Sequence, residues 1–289
     1  MTEPTFLIPG ASRSGTSSLY YYLQNHPDIY MSDPKELRFF DCNENYNRGL
    51  NYYEQYFIPG EDAAARGEVS PPYWYRGITF DTDRNYQWTP QDDVASRVHE
   101  SYPDIKLVFT LRNPVTRAYS QYWKNVRQNR ERSPSFKDAI QRELNGERDK
   151  TNSGCCWIYK NKYPIHLKRW LELFDREQIL FFVFEKWIDN PERVLNVICD
   201  FIGVNPLEKW GHTDQIKNKA RVPRSRWVNR IICDYLDLPG VRQVNNLANM
   251  TEGYPEMPTD TEKYLFQEFE PIISETESII GQNLNVWRL

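Results

Sequence analysis

The sequence predicts an α/β fold, a three-layer arrangement with a central, mostly parallel sheet and helices on both faces. Three stretches predict it. Phe6 to Leu23, FLIPGASRSGTSSLYYYL, reads as an apolar strand, a turn rich in Gly and Ser, and a helix with Leu19, Tyr22 and Leu23 at helical spacing. Lys106 to Tyr122, KLVFTLRNPVTRAYSQY, repeats that order: Leu107 to Leu111 form a buried strand, Asn113 an N-cap, and Pro114 the first helical residue. Ile179 to Phe184 give another buried strand. Its following helix is capped by Asn190 and Pro191, carries Val194, Leu195, Ile198, Phe201 and Ile202, and stops at Gly203.

Composition narrows the function classes. The chain has 289 residues and no linker rich in Pro, Gly or Ser, so residues 1–289 read as one domain. At 26% charged and 15% aromatic residues, it belongs with folded and not disordered proteins. A net charge of −4 argues against nucleic acid as a partner and against a heparin-like polyanion as substrate. A small acceptor, neutral or cationic, fits better. No apolar run approaches the ~20 residues of a membrane span, and MTEPTFLIPG enters the first strand at once without room for a signal peptide. The expected location is the cytoplasm. Cys42, Cys155, Cys156, Cys199 and Cys233 lack C-x-x-C spacing and read as reduced thiols. Oligomeric state is not legible.

The turn after the first strand is built for an anion. Successive backbone N–H groups and a helix N-terminus attract phosphate or sulfate, Gly10 and Gly15 let the backbone come close, Arg13 brings a cation, and Ser14, Thr16, Ser17 and Ser18 bring hydroxyls. A nucleotide kinase would read G-x-x-x-x-G-K-[ST] there. Gly10 to Thr16 reads GASRSGT, with the basic residue two places before the second glycine. This loop resembles the 5′-phosphosulfate loop of sulfotransferases that use 3′-phosphoadenosine 5′-phosphosulfate (PAPS), particularly the heparan sulfate sulfotransferase-like branch and its soluble bacterial relatives. The resemblance implies a P-loop-like fold, PAPS as donor with adenosine 3′,5′-bisphosphate (PAP) released, no metal, and phosphosulfate contacts from Arg13, Ser14, Gly15, Thr16 and Ser17. The competing class is a P-loop phosphotransferase with an aberrant loop. That enzyme should end a strand in a magnesium-binding Asp, and the strand Leu107 to Leu111 runs into Arg112 instead.

Further segments carry the same likeness. Lys35 to Asp41, KELRFFD, is similar to a KE-x-x-FFD segment whose glutamate is the proposed base, which implies Glu36 as catalytic base; the bland alternative is a salt bridge to Lys35 or Arg38. Gly67 to Tyr73, GEVSPPY, is similar to GE-x-[ST]-P-x-Y, with Val69 where the family often has Lys. LRNPVTRAYS resembles the 3′-phosphate segment, which implies Arg112 and Ser120 on that phosphate. Arg117 reads as a solvated or paired surface charge. Residues 217–230, KNKARVPRSRWVNR, form the most basic stretch, and the resemblance implies a late basic loop closing over the 3′-phosphate through Arg224 and Arg221.

The remaining segments read as scaffold. Tyr52, Tyr53, Tyr56 and Phe57 form one face of a short helix, and residues 74–93 an insertion that serves either as an acceptor-side lid or as a surface excursion. Residues 127–153 read as helical pieces in a solvated, charge-dense region. Leu167, Trp170, Leu171 and Phe174 make a core stripe. The chain's end, QNLNVWRL, resembles the family's terminal helix and closing tryptophan. The reaction implied is in-line displacement at sulfur by a hydroxyl or amine of a sugar, a natural product or another small metabolite. Arg13 and the loop amides take up the developing charge and Glu36 takes the proton. His166, Glu68 and His99 are the next candidates for the base.

Overall fold

The computed structural model describes residues 2–80, 86–88, 93–147, 157–211, 213, 220–236, 241, 245 and 248–288. In chain order the elements are β1 (Phe6–Gly10), α1 (Thr16–Leu23), β2 (Ile29–Met31), α2 (Asn43–Tyr46), α3 (Leu50–Glu54), β3 (Ala65–Val69), β4 (Ile78–Phe80), β5 (Tyr86–Trp88), α4 (Val94–Ser101), β6 (Lys106–Leu111), α5 (Pro114–Arg127), α6 (Phe136–Leu144) and α7 (Trp157–Lys160). There follow α8 (Tyr163–Leu171), β7 (Ile179–Val183), α9 (Phe184–Trp187), α10 (Pro191–Ile202), β8 (Arg221–Pro223), α11 (Arg226–Tyr235), β9 (Met250–Glu252) and a helix over Thr259–Ile280. Among the described residues no helix is long and apolar enough to cross a membrane.

The contacts group the chain into two compact units. The first comprises Met1–Asn113, Lys162–Lys217 and Ile272–Arg288. Its centre is a five-stranded parallel sheet in the order β2-β3-β1-β6-β7. Phe6 and Ile8 of β1 and Val108 of β6 pack on one face against Leu19 and Leu23 of α1 and Leu195 and Ile198 of α10. On the other face Phe109 meets Trp170 of α8 at 5.5 Å between ring centroids. Side chains alternate across a strand, so two-sided burial demands the near-continuous apolar runs of β1, β6 and β7. The chain leaves β1 in both directions, toward β3 and toward β6, and ligands of open α/β sheets bind at that reversal, outside the carboxyl ends of the strands.

Helix boundaries follow the local chemistry. Asn190 accepts from the Arg193 N–H at 3.3 Å, Pro191 opens α10, and Gly203 closes it in the left-handed region at φ 84°. α5 begins at Pro114. Of the predicted tyrosine face, Tyr53 and Phe57 are buried, whereas Tyr52 and Tyr56 turn to each other at 5.6 Å. The insertion after Trp74 contains a hairpin, with Ile78 paired antiparallel to Trp88; residues 81–85 and 89–92 lie outside the described residues. Cys42 and Cys199 are buried free thiols and Cys233 is half-buried; Cys155 and Cys156 lie outside the described residues.

The second unit comprises Pro114–Asn161 and Asn218–Pro271. It holds α5, α6, α7, α11 and an antiparallel pair, β8 with β9, in which Val222 faces Thr251. Phe136 packs its ring against Tyr119 and Tyr122. The side chain of Asn229 donates to the carbonyls of Val126 and Arg127, tying α11 to the end of α5. One sequence expectation fails here. Arg117 is not a surface charge but is 3% exposed, donating to the Lys160 carbonyl and to Asn161 Oδ1. Its face of α5 meets the end of α7 and Asn161 and not water.

Gly67 is where the sheet tolerates no side chain. Phe6 lies across it on the paired strand, and a Cβ at Gly67 would stand 2.2 Å from Phe6 Cζ. We expect Gly67→Ala to lower stability by about 1–3 kcal/mol, seen in a thermal melt, and Gly211→Ala, whose Cβ would meet nothing within 4 Å, to leave it within about 0.5 kcal/mol.

Candidate active site

Parallel pairing places the carboxyl ends of β1, β2, β3 and β6 along one edge of the sheet in the first unit. From these ends come the loop Ala11–Gly15, the segment Ser32–Asp41, the turn at Ser70, and Arg112.

The loop after β1 is clamped from beneath. Ala11 N–H donates to the Thr110 carbonyl at 2.8 Å, Thr110 Oγ1 donates to the Ser14 carbonyl at 2.8 Å, and Trp187 Nε1 donates to Thr110 Oγ1 at 3.0 Å. Arg13 and Gly15 flank Ser14 in the left-handed region, at φ 70° and 84°. A Cβ at Gly15 would lie 2.4 Å from Trp187, so both the dihedral and the space require glycine. Two features suit this cradle to an anion. The Ser14 hydroxyl is buried without a hydrogen-bond partner among the described residues, a costly state for a polar group. The N–H groups of the first turn of α1, Thr16 and Ser17 among them, have no intrahelical partner by geometry. An oxyanion would satisfy both, and the loop fits a phosphosulfate.

Arg112 comes off the end of β6 and reaches this loop, its Nη1 donating to the Arg13 carbonyl at 3.2 Å while its guanidinium lies over the Phe184 ring at 5.1 Å. Its own carbonyl accepts from the Tyr163 hydroxyl at 2.5 Å. Next to it, Asn113 N–H donates to Glu185, and Trp287 Nε1 donates to the same carboxylate at 2.7 Å. The closing tryptophan thus braces the strand end that presents Arg112. Two cations far apart in sequence, Arg13 and Arg112, are brought together at one loop.

Glu36 sits in an irregular segment at φ 64°, its Oε1 2.7 Å from Lys35 Nζ and its side chain 29% exposed. The salt bridge to Lys35 foreseen as the bland alternative is therefore formed, whereas Arg38 pairs with Asp41. What the sequence did not disclose is the support. Glu68, fully buried on β3, accepts from Leu37 N–H at 2.9 Å, Tyr53 hydroxyl at 2.7 Å, Tyr73 hydroxyl at 3.1 Å and the Ser70 hydroxyl. Tyr73 in turn accepts from Phe39 and Phe40 N–H at 2.9 and 3.3 Å. Burial pushes the Glu68 carboxyl up to about 7 in spite of these donors. Burial also drives Asp41 up to about 6, against the pull of Arg38.

Of the other candidates for the base, Glu68 and His166 are fully buried; His166 accepts from Arg76 N–H at 3.1 Å and packs on Trp74. His99 lies edge-on to Phe174. In the second unit, buried Ser120 shares a hydrogen bond with the Tyr254 hydroxyl at 2.9 Å. Arg224 N–H donates to the Asn249 carbonyl at 2.6 Å. Arg221, at the start of β8, lines a cavity of about 640 Å³ with Arg127, Arg130 and Arg132. Arg226 donates to the carbonyls of Ser133 and Pro134, and Lys217 and Lys219 lie outside the described residues. Part of the basic stretch is thus strand and helix cap and not open loop.

Comparison with known proteins agrees with the geometry. A family model described as sulfotransferase domain matches residues 3–221. The chain is 31% identical over 202 residues to heparan sulfate glucosamine 3-O-sulfotransferase 6 of Homo sapiens, covering 70% of this chain and 52% of that protein. It is 24% identical over 298 residues to bifunctional heparan sulfate N-deacetylase/N-sulfotransferase 1 of Mus musculus, covering 98% of this chain and 30% of that protein. The chain therefore spans about half, or less, of the length of these curated relatives. The crystal structure of a sulfotransferase from Alicyclobacillus acidocaldarius superposes with a TM-score of 0.69 at 27% identity, covering 100% of both chains.

The buried carboxylate makes a prediction about stability. Glu68 holds its proton more tightly folded than unfolded, so its contribution is present below the ordinary carboxylate range and is lost as pH rises through about 7. Denaturant titrations at pH 5 and pH 8 should show that Glu68→Gln loses less stability than wild type over this interval, by on the order of 2 kcal/mol. Equal losses in both proteins would mean that Glu68 does not titrate there.

Proposed function

The chain belongs to the sulfotransferase domain family, and from that premise we propose that it moves a sulfuryl group from PAPS to a hydroxyl or amine of a small metabolite or sugar. The observation that carries the reading is the loop Ala11–Gly15, with its buried, unpartnered Ser14 hydroxyl and with Arg112 bonded onto the Arg13 carbonyl. PAPS, when bound, supplies the sulfuryl group and departs as PAP. The two arginines offer positive charge without a bound cation. Because β6 runs into Arg112 and not into an acidic residue, the kinase-like alternative gains no support.

In this mechanism Arg13 and the N–H groups of Ser14, Gly15, Thr16 and Ser17 bind the phosphosulfate end. They favour charge gathering on the bridging oxygen, which raises turnover more than ground-state affinity. Arg112 takes the 3′-phosphate; Ser120, Arg221 and Arg224, to which the family resemblance gives the same role, belong to the second unit. Glu36 removes the acceptor proton as the acceptor oxygen or nitrogen bonds to sulfur and the bond from sulfur to the bridging oxygen breaks. Its half-exposed carboxylate is reachable, unlike those of Glu68 and Asp41, and Lys35 Nζ holds it at 2.7 Å. The net charge of −4 supports a small acceptor over a polyanion, with a cation or a sugar face held on aromatic side chains. The matched residues 3–221 run through both compact units, which supports reading them as one sulfotransferase domain. The buried free thiols of Cys42 and Cys199 support a reducing compartment, the cytoplasm.

Two experiments test this reading. By titration calorimetry, Arg13→Ala and Arg112→Ala should each weaken PAP binding by about 1.5–3 kcal/mol, the range of a charge-assisted hydrogen bond; wild-type affinity in both would refute the pocket. With labelled PAPS and an acceptor panel of sugars, amines and phenols, Glu36→Gln should keep PAP affinity and lose roughly a hundredfold or more in kcat for hydroxyl acceptors. Undiminished turnover would place the base elsewhere.

A further inference from the structure

We infer that Glu68 is a positioning residue: through Leu37 N–H, and through Tyr73 to Phe39 and Phe40, it sets the loop that aims Glu36 at the acceptor. The inference rests on the sulfotransferase reading and deepens it, since Glu36 is the base only in that reading.

The loop requires such an anchor. Glu36 and Arg38 both stand in the left-handed region, at φ 64° and 58°, where side chains other than glycine are disfavoured. Such backbone persists where its surroundings over-determine it. Here the residues that follow them are tied down. Leu37 N–H goes to Glu68 Oε1, and the amides of Phe39 and Phe40 go to the Tyr73 hydroxyl, which passes its own proton on to the same Oε1. One carboxylate therefore holds three points of a strained turn, Leu37 directly and Phe39 and Phe40 through Tyr73. Glu68 lies on β3 opposite Leu7 of β1, the strand that ends in the anion loop. The base and the anion loop are thereby referenced to neighbouring strands of one rigid sheet.

The inventory of partners shows why a carboxylate is used. Glu68 meets four donors: Leu37 N–H and the hydroxyls of Ser70, Tyr73 and Tyr53. Four donors saturate the acceptor capacity of an ionised carboxylate. A glutamine would turn an NH2 group toward hydroxyls that are already donating, and so would break part of the set. The titratable groups that face it are Tyr53 and Tyr73, with Tyr102 and Asp41 beyond them. Glu54 bonds Tyr102, Arg38 pairs with Asp41, and Arg97 donates to the Phe40 carbonyl. No cation is bonded to Glu68 among the described residues, so the hydroxyls and the amide alone stabilise its charge.

The test uses Glu68→Gln, with Tyr53→Phe as the milder variant, each checked for folding by circular dichroism. Amide hydrogen exchange at Leu37, Phe39 and Phe40 should quicken by roughly tenfold or more in Glu68→Gln, the exchange reporting local opening. With glucosamine as acceptor, which carries both an amine and hydroxyls, kcat should fall roughly ten- to a hundredfold, the cost of a displaced catalytic group, while the PAP dissociation constant stays within about twofold. The wild-type acid limb of kcat near pH 7 should be absent from the variant. Tyr53→Phe should shift both readouts the same way by less, and it decides the matter if Glu68→Gln fails to fold. Unchanged exchange, or quickened exchange with unchanged kcat, overturns the inference. Failure of wild type to bind PAP would strike the sulfotransferase reading instead, and exchange alone would then show whether Glu68 holds the loop.

Discussion

The hydrogen bond from the Thr110 hydroxyl to the Ser14 carbonyl joins the centre of the sheet to the loop after β1. Thr110 is buried on β6, beside β1, and its hydroxyl is itself held by the Trp187 indole. A loop whose carbonyls are occupied from below presents its N–H groups above, where a helix start adds partial positive charge. Left-handed geometry at Arg13 and Gly15 follows from that clamp. Arg112, two residues beyond Thr110 and just past the end of that strand, then reaches the loop from the side.

Strands and helices with strong periodicity were legible. Phe6 to Ile8, Leu107 to Leu111 and Ile179 to Val183 are apolar because both faces of a parallel sheet are covered. Asn190, Pro191, Pro114 and Gly203 mark helix ends by backbone chemistry that neighbours cannot override. The strand, turn and helix around Gly10 to Thr16 were legible because an apolar run, a turn rich in Gly and Ser, and helical spacing follow one another there. Glu68 was harder: written GEVSP, it reads as a charged residue at the end of a strand. Only the arrival of Tyr53, Tyr73 and Leu37 from three separate segments makes it a buried hub, and tertiary partners of that kind leave no local trace. Arg117 misled for the same reason, since helical spacing gives a direction but not what waits there. The hairpin of β4 and β5 escaped notice because three-residue strands in a polar stretch carry no clear alternation.

Two carboxylates near Glu36, Glu68 and Asp41, are fully buried, and burial works against the charge of each. Apolar residues there would cost the fold less. Their retention makes sense if a strained loop must be held in one geometry, which is a demand of function.

The central claim is that the loop Ala11–Gly15 and Arg112 together receive the nucleotide, and a crystal structure of the protein with PAP tests it most directly. The account predicts the 5′-phosphate in the loop, within hydrogen-bond distance of the Ser14 hydroxyl and the Thr16 and Ser17 amides, with Arg112 turned to the 3′-phosphate. A nucleotide lodged elsewhere, with the Ser14 hydroxyl still unpartnered, would contradict it.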